Sequence, residues 1–405
     1  MEVLDKYLTF SNGKTSPERS DFTGKYAVFG ANGIIGYSDE YNSEAGTIII
    51  GRVGSYCGSV HFSYDNCWVT DNAISVNCKN KGEARFWFYL LKSLNLNNLR
   101  TGSGQPLLNQ SILKSIKISI PQNSLDRENI GKQLSIFDDK IQLNTQINQT
   151  LEQIAQTIFK SWFIDFDPVH AKANALASGQ TAEQAIQAAM TVISGKNTQE
   201  LHRLQTANPE QYQQLWEIAE AFPSGFDEEG VPRGWEERYL KDVCNIVYGK
   251  GLPKNKLTEK GFYVFGANGV IGFYDSYTYE KPQVLIGCRG TVGQVTLSYP
   301  YSFVTNNSLV IEYENSCVSM YYLEKYLSNI NLKEISSGSV QPQITIQNMS
   351  KVKILIPNIE ILNFYSEKVK EIYDKWLHHF YENQSLSKVR DLLLPKLLSG
   401  DISNE

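Results

Sequence analysis

The sequence predicts an α+β fold in which two mainly β domains are separated by a long antiparallel two-helix coiled coil. Sequence landmarks return in the same order after about 235 residues, so the chain carries a pseudo-twofold internal repeat. Each copy begins with a stretch rich in glycine, tyrosine and β-branched residues and ends in a long run with helical spacing of apolar residues. A chain of 405 residues is also too long for one ordinary hydrophobic core.

The repeat is recognised from matched segments. VFGANGIIGY at 28–37 returns as VFGANGVIGF at 264–273. Further pairs, all at offsets of 235 or 236, are TDNAI and TNNSL (70–74, 305–309), Gln105-Pro106 and Gln341-Pro342, SIKISIP and KVKILIP (115–121, 351–357), Asp139-Lys140 and Asp374-Lys375, and NQTL and NQSL (148–151, 383–386). This common order indicates a duplication.

The landmarks predict five segments in chain order. These are a β domain at 1–125, a long helix at 126–165, a linker with two short helices at 166–234, a second β domain at 235–357 and a second long helix at 358–405. Within the β domains, 47–51 and 284–288 are predicted as buried strands, and 83–94 and 318–328 as short helices. The dipeptides Asn32-Gly33 and Asn268-Gly269 mark hairpin turns.

Each predicted long helix spans about 35 residues, or about 50 Å. The apolar positions of both helices recur in alternating steps of four and three, the pattern of a coiled-coil seam. The first seam contains Ile130, Leu134, Phe137, Ile141, Leu151, Ile158 and Trp162, and the second contains Val369, Ile372, Trp376, His379, Leu386 and Leu393. Asn144, Asn148 and Asn383 occupy seam positions, where a buried asparagine sets helix register. Pro168 is predicted to end the first helix. The alternative is that each helix packs only on its own domain.

Charge is distributed unevenly along the chain. Its net charge is −5, but residues 1–125 and 235–357 each carry +2, and the remaining stretches together carry −9. Mildly basic globular parts are compatible with DNA contact. The six cysteines form no CxxC pair or zinc spacing, and no apolar run is long enough for a membrane span. We therefore expect a cytoplasmic protein without a metal or cofactor of its own.

No catalytic constellation is evident. The chain lacks a GxxxxGK[ST] phosphate loop, and GANGIIG fits a hairpin turn better than a nucleotide-binding loop because no helix is predicted to follow it. The polar residues at repeated loop positions instead suit the reading of DNA base edges, where arginine pairs with guanine and asparagine or glutamine with adenine. The candidates for base contact are Asn32 and Asn268, Arg52 and Arg289, Asn72 and Asn307, and Gln105 and Gln341; those for phosphate contact are Lys14, Lys25, Lys250, Lys254 and Lys256.

The complete layout resembles the specificity subunit of type I restriction-modification systems. The resemblance is carried by the two FGANG segments, GRVGSYCGSV with VTDNAIS, SWFIDFDPV at the end of the first helix, VPRGW before the second domain and LLLPKLLSG near the C-terminus. It implies that each β domain is a target-recognition domain for half of a bipartite site in double-stranded DNA. The first domain lacks a counterpart of VPRGW, which predicts an N-terminal edge that is either shortened or completed from elsewhere.

The resemblance also implies a set of partners. Two modification subunits, which bind S-adenosylmethionine and methylate adenine, would dock on the helices, with restriction subunits that translocate and cleave DNA as further partners. The chain itself is then no enzyme. Two alternatives stay open: a coiled-coil scaffold that binds protein and not DNA, and the specificity subunit of a methylation-only system.

Overall fold

The structure is a computed structural model that describes residues 2–21, 23–100, 107–338 and 341–399, apart from the side chains of residues 398 and 399. The chain divides into two compact units. Unit 1 contains residues 1–147 and 378–405, and unit 2 contains residues 148–377. Each unit therefore holds one β-rich domain and a part of both long helices, in agreement with the predicted α+β class.

Unit 1 begins with a β-rich domain and continues into the first long helix. Its elements are β1 (Glu2–Val3), β2 (Leu8–Asn12), β3 (Tyr26–Gly30), β4 (Gly33–Ser38), β5 (Ile48–Gly51), β6 (Val60–Phe62), β7 (Cys67–Val69), β8 (Ala73–Cys78), α1 (Ala84–Ser93), α2 (Gln110–Ser115), β9 (Lys117–Ile118) and α3 (Ser124–Phe163). The predicted short helix and buried strand are α1 and β5. All four residues of β5 are buried, which explains their uninterrupted apolar character.

Two sheets organise the β domain of unit 1. One has the antiparallel order β2-β8-β5-β6, and the other has the order β4-β3-β7, in which β3 and β7 run parallel. A two-residue connection joins β3 to β4, as the Asn32-Gly33 signal predicts. Gly33 has a φ of 92°, which a side-chain-bearing residue rarely adopts. The main core of unit 1 lies between the first sheet, α1 and the long helices and includes Trp87, Leu134 and Leu394.

Unit 2 repeats this arrangement after an additional helical segment. Its elements are α4 (Asp167–Ala177), α5 (Ala182–Ser194), α6 (Thr198–Ala207), α7 (Pro209–Ala221), β10 (Glu236–Tyr239), α8 (Leu240–Val243), β11 (Asn245–Tyr248), β12 (Phe262–Gly266), β13 (Gly269–Tyr274), β14 (Val284–Gly287), β15 (Val295–Leu297), β16 (Phe303–Val304), β17 (Ser308–Glu312), α9 (Met320–Ser328), α10 (Ile346–Met349), β18 (Lys353–Ile356) and α11 (Ile359–Ser399). The sheets have the orders β11-β17-β14-β15 and β13-β12-β16, which match those of unit 1 strand for strand.

The segment predicted as a linker with two short helices contains four helices, α4 to α7, so the prediction of two is wrong. Side chains of Asn197 and Asn208 cap α6 and α7 by accepting bonds from backbone N–H groups, and Pro209 begins α7. A small apolar core that includes Met190 and Leu215 joins α5, α6 and α7. Polar caps divide what composition alone presents as one Ala/Gln/Glu-rich stretch.

The long helices α3 and α11 contain 40 and 41 residues, somewhat more than the predicted 35. Pro168 does not end α3, contrary to the prediction. The helix ends at Phe163. Phe166 has a left-handed φ of 53°, which interrupts the helical conformation before Pro168, and Pro168 lies in the first turn of α4. A proline is tolerated there because the first helical N–H groups have no partner within the helix.

The two long helices run antiparallel within each unit. In unit 1, Asn144 contacts Asn383 and Asp138 pairs with Arg390; in unit 2, the Phe159 and Tyr365 rings lie 6.0 Å apart. Every predicted seam residue of α3 and α11 is buried or half-buried. The helices also pack on their own domains, so the two packing modes considered for them coexist.

Candidate nucleic-acid interface

Four connecting segments meet at one edge of the β domain in unit 1. They follow β2 (13–14), join β3 to β4 (31–32), follow β5 (52) and join β7 to β8 (70–72). We call these residues the loop edge of unit 1. These segments lie close together because β2, β5 and β8 are neighbours in one sheet, and β3 pairs with β7 in the other.

Backbone hydrogen bonds hold the four segments together. Gly13 donates to Ala73 O (3.0 Å), Thr70 donates to Phe29 O (3.0 Å), and Arg52 donates to Asn72 O (2.9 Å). A Cβ atom on Gly51 would collide with the carbonyl oxygen of Ala31, so the close approach of two segments requires glycine. The loop edge is therefore a rigid support for the side chains that it exposes.

The loop edge of unit 1 presents four of the predicted contact residues. Lys14, Asn32 and Asn72 are exposed, and Arg52 is half-buried. The Nε atom of Arg52 is buried without a hydrogen-bond partner among the described residues. A buried donor without a partner is unfavourable by about 1–3 kcal/mol.

Unit 2 builds the same loop edge from residues 249–250, 267–268, 288–289 and 305–307. Thr305 donates to Phe265 O (2.9 Å), and Lys250 donates to Val304 O (2.9 Å). Lys250, Asn268, Arg289 and Asn307 are all exposed. Gln341 is exposed three residues before Ile344, whose N–H bonds to Cys288 O at the same edge.

Arg52 and Arg289 do not occupy equivalent positions, which corrects the pairing drawn from the sequence. Leu108 donates to the carbonyl of Arg52 in unit 1, and Ile344 donates to that of Cys288 in unit 2, at 3.0 and 3.1 Å. Arg52 therefore corresponds to the buried Cys288, and Arg289 lies one residue further along the loop. The two loop edges thus present their arginines at different places.

Three predicted phosphate contacts lie away from the loop edges. Lys25 precedes β3 at the end opposite the turn with Asn32, and its N–H donates to Asp39 Oδ1 (3.2 Å). Lys254 and Lys256 are exposed on a short 3-10 turn between β11 and β12. The loop that contains them packs beside β13, where the N–H of Thr258 donates to Phe273 O. Gln105 lies outside the described residues.

Exposed apolar side chains near the turns were missed by the sequence analysis. Ile34 is 52% exposed directly after the unit 1 turn, Val270 and Ile271 are exposed after the unit 2 turn, and Tyr56 is exposed beyond Arg52. Apolar side chains at such places can contact thymine methyl groups. The signal available in the sequence was the pair of apolar residues after each Asn-Gly dipeptide, Ile34-Ile35 and Val270-Ile271.

Two titratable groups support the loop edge of unit 1 rather than perform chemistry there. Burial, with a smaller effect of nearby Lys92, lowers the pKa of His61, and its ring lies beneath Gly33. Burial also raises the pKa of the Cys57 thiol, whose Sγ donates to Arg52 O (3.3 Å). A neutral imidazole and an unionised thiol are packing groups here, not a nucleophile and its base.

The three predicted register residues lie in the seam of the long helices. Asn144 is fully buried, and its Nδ2 donates to Asn383 Oδ1 (2.8 Å) and Glu382 Oε2 (2.6 Å). The hydrogen bond from Asn144 lowers the pKa of Glu382, because it favours the carboxylate over the protonated form. In unit 2, Asn148 Nδ2 donates to the backbone oxygen of Trp376 (3.1 Å).

Within residues 2–21, 23–100, 107–338 and 341–399, no group of three or more His, Cys, Asp or Glu side chains could hold a metal ion. In the same part of the chain, no helix has the length and apolar character needed to cross a membrane.

Comparison with known proteins identifies the family. A family described as "Type I restriction modification DNA specificity domain" matches residues 3–153 and 232–387, one match for each copy of the repeat. The chain belongs to this family. The resemblance carried by its duplicated motifs is confirmed.

Individual relatives extend this result along the chain. The chain is 39% identical over 331 residues to the type I restriction enzyme HindI specificity subunit of Haemophilus influenzae, with 73% of this chain and 71% of that protein covered. It is 24% identical over 349 residues to the MjaIX specificity subunit of Methanocaldococcus jannaschii, with 80% and 70% covered. The crystal structure of a type I S subunit from M. genitalium shares the fold, with a TM-score of 0.56, 20% identity and coverage of 98% of this chain and 95% of that one.

Proposed function

We propose that this chain is the DNA-recognition subunit of a type I restriction-modification system and that each loop edge binds one half of a bipartite target. The observation that carries the proposal is the duplicated loop edge of a chain that belongs to a DNA specificity family. In both units this edge exposes asparagine and lysine, and it adds an arginine that is half-buried in unit 1 and exposed in unit 2. In this role the chain selects the DNA sequence, and its partners perform the chemistry.

The proposed contacts are divided between the halves of the target. Exposed Lys14 and Lys250 suit phosphate contacts, and Asn32, Asn72, Asn268 and Asn307 offer amides to base edges. Residues that differ between the edges distinguish the two half-sites, foremost Arg52 and Arg289. An arginine that pairs with guanine through two hydrogen bonds discriminates against other bases by about 1–3 kcal/mol.

Two modification subunits are the proposed partners of the long helices, with restriction subunits as further partners. Leu125, Ile136 and Leu143 of α3, all in unit 1, are exposed although they are large and apolar. Their spacings of 11 and 7 residues are close to whole helical turns, so they form one stripe on a single face. An exposed apolar stripe of this kind favours a protein partner.

The proposal is tested by mapping methylated adenines in a host that expresses the chain with its modification subunit. We expect one bipartite motif that is lost when the gene for this chain is deleted. Arg52→Ala is expected to relax the motif in one half only, and Arg289→Ala in the other half only. Lys14→Ala is expected to weaken DNA binding for all sequences and to reduce the salt dependence of the binding constant by about one contact.

Lys25→Ala is the matched control, because Lys25 is also an exposed lysine of unit 1 but lies at the far end of β3. It should leave the motif and the salt dependence unchanged. Equal effects of Lys14→Ala and Lys25→Ala would contradict the assignment of the loop edge. Binding that does not depend on salt, together with no methylation motif, would instead favour the protein-binding scaffold.

A further inference from the structure

A cavity of about 570 Å³ lies in unit 2 between β15 with its following loop, α9 and the two long helices. Aromatic side chains form much of its wall, namely Tyr299, Tyr321, Tyr373 and Trp376. The rings of Tyr299 and Trp376 are nearly parallel, with an interplanar angle of 27° and centroids 6.2 Å apart. The faces of such rings carry negative potential and attract cations.

The charged residues of the cavity wall are mainly acidic. They comprise Glu152, Glu324 and Asp374 against one ammonium group, that of Lys325. Glu324 accepts a hydrogen bond from Tyr373 (2.9 Å) and pairs with Lys325 (3.2 Å). Within the described residues, neither Asp374 nor Glu152 has an ion-pair partner, so the cavity has an excess of negative charge.

Unit 1 shows what the corresponding place can hold. There the guanidinium of Arg85 pairs with Asp139 (3.1 Å) and lies over the rings of Phe62 and Tyr64, 4.3 and 4.2 Å from their centroids. Tyr64 and Asp139 correspond to Tyr299 and Asp374, each 235 residues later in the chain. The internal repeat therefore supplies a filled copy of the same aromatic and acidic arrangement.

Unit 2 retains the acceptors of this arrangement but not the cation. Arg85 is the second residue of α1, and the second residue of α9 is Tyr321. Tyr321 packs against Tyr373, with ring centroids 4.6 Å apart. The guanidinium is thus absent from unit 2, whereas an aromatic ring and a carboxylate that hold it in unit 1 have counterparts there.

We infer that the cavity of unit 2 binds a guanidinium group supplied from outside the chain. Guanidinium is planar, stacks on aromatic faces and pairs with carboxylates, which matches Tyr299, Trp376 and Asp374. The group has two possible sources, a free small cation and an arginine side chain of a bound protein. The inference does not depend on DNA recognition.

The test uses the full chain with 5-fluorotryptophan at its six tryptophans and follows their ¹⁹F NMR signals. Trp376→Phe assigns the signal that reports on the cavity. Titration with N-acetyl-arginine amide is expected to shift the Trp376 signal to saturation, and the neutral isostere N-acetyl-citrulline amide is expected to leave it in place. No shift with arginine amide, or an equal shift with both probes, would overturn the inference.

Two variants test the assigned groups. Asp374→Asn removes the carboxylate and should weaken the binding of N-acetyl-arginine amide at least tenfold. Tyr321→Arg copies unit 1 and should fill the cavity from within, which abolishes the shift. The five other ¹⁹F signals report whether each variant is folded. If Tyr321→Arg does not fold, Asp374→Asn alone tests the site. The side chain of Asp374 is exposed, so its replacement leaves no buried charge unpaired. Unchanged affinity in Asp374→Asn would refute the site.

The source of the group is found by replacing the probe. Spermidine, which lacks a guanidinium, tests whether free cations in general bind, and the purified modification subunit tests for a protein arginine; only this last arm rests on the proposed function. A Trp376 shift caused by the subunit and lost in Asp374→Asn assigns the cavity to protein docking. A shift with arginine amide alone assigns it to a free guanidinium ligand.

Discussion

Unit 1 and unit 2 attach their short helix to the long helix with different chemistry. In unit 1, Glu83 lies directly before α1 and forms a buried ion pair with Arg127 of α3 (2.8 Å). Ser124 and the indole N–H of Trp87 also donate to this carboxylate, at 2.6 and 2.9 Å. Two charges are thus removed from water with nearly every hydrogen-bonding position satisfied.

In unit 2 the same junction has no ion pair among the described residues. The hydroxyl of Ser366 in α11 donates a hydrogen bond to the hydroxyl of Ser319 (2.8 Å), which lies directly before α9. Leu362 occupies the place of Arg127. At a second junction, Tyr89 of α1 donates to Asp138 of α3 (2.6 Å). In unit 2 the counterpart of Asp138 is Tyr373 of α11, which donates to Glu324 of α9 (2.9 Å), one residue before the counterpart of Tyr89. The fold requires a filled contact at each place, and either chemistry supplies it.

The largest effect is expected from breaking the ion pair of unit 1. Arg127→Ala leaves Glu83 buried and unpaired, which should lower the free energy of unfolding by about 3–5 kcal/mol. The measurement is urea unfolding of the 5-fluorotryptophan chain, in which Trp87 reports on unit 1 and Trp162 on unit 2. We expect the Trp87 transition to move to lower urea concentration and the Trp162 transition to move less.

The comparison between units also supplies the control. Arg127→Leu combined with Glu83→Gln imitates the uncharged junction of unit 2 and keeps an acceptor for Trp87 and Ser124. Replacing both members of a buried ion pair by neutral groups is often neutral or stabilising, so the double variant should recover most of the loss. A double variant as unstable as Arg127→Ala would show that the charges themselves are required.

Low pH should also destabilise unit 1 more than unit 2, with a smaller effect than Arg127→Ala. Burial would raise the pKa of Glu83, but hydrogen bonds from Arg127, Ser124 and Trp87 hold it below its ordinary value of 4.5. A lowered folded-state pKa stabilises the folded form above pH 4.5 and loses this contribution as the pH falls through the lowered value. Hydrogen exchange at decreasing pH should therefore show α1 opening before α9, and the reverse order would contradict this account.

The repeat and the helical periodicity were sufficient to predict much of the fold. Matched turns such as Asn32-Gly33 located the hairpins, and the four-and-three spacing located buried or half-buried positions along α3 and α11 but missed Phe159 and Tyr365, which also face each other between the helices. These features are local or recur in sequence, so single-sequence reasoning can detect them. The four helices of the segment between the units were undercounted because their boundaries depend on caps such as Asn197 and Asn208 within a uniformly polar stretch.

The parts that were missed depend on contacts between distant residues. Glu83 and Arg127 are 44 residues apart, and no sequence spacing connects them. The correspondence of Arg52 with Cys288, and not with Arg289, is set by backbone bonds from Leu108 and Ile344. Arg85 was not a candidate residue because only the folded unit 1 places it between an aromatic pair and Asp139.

The seam asparagines provide the finest comparison between the units. Asn144 in unit 1 donates to the carboxylate of Glu382, whereas Asn148 in unit 2 donates to the neutral backbone oxygen of Trp376. Hydrogen bonds to charged groups contribute about 1.5–3 kcal/mol and neutral ones about 0.5–1.5 kcal/mol. Asn144→Ala should therefore lower the urea midpoint of the Trp87 signal more than Asn148→Ala lowers that of Trp162. Equal losses would mean that the asparagines act through seam packing alone, since the difference in acceptor charge would then have no measurable effect.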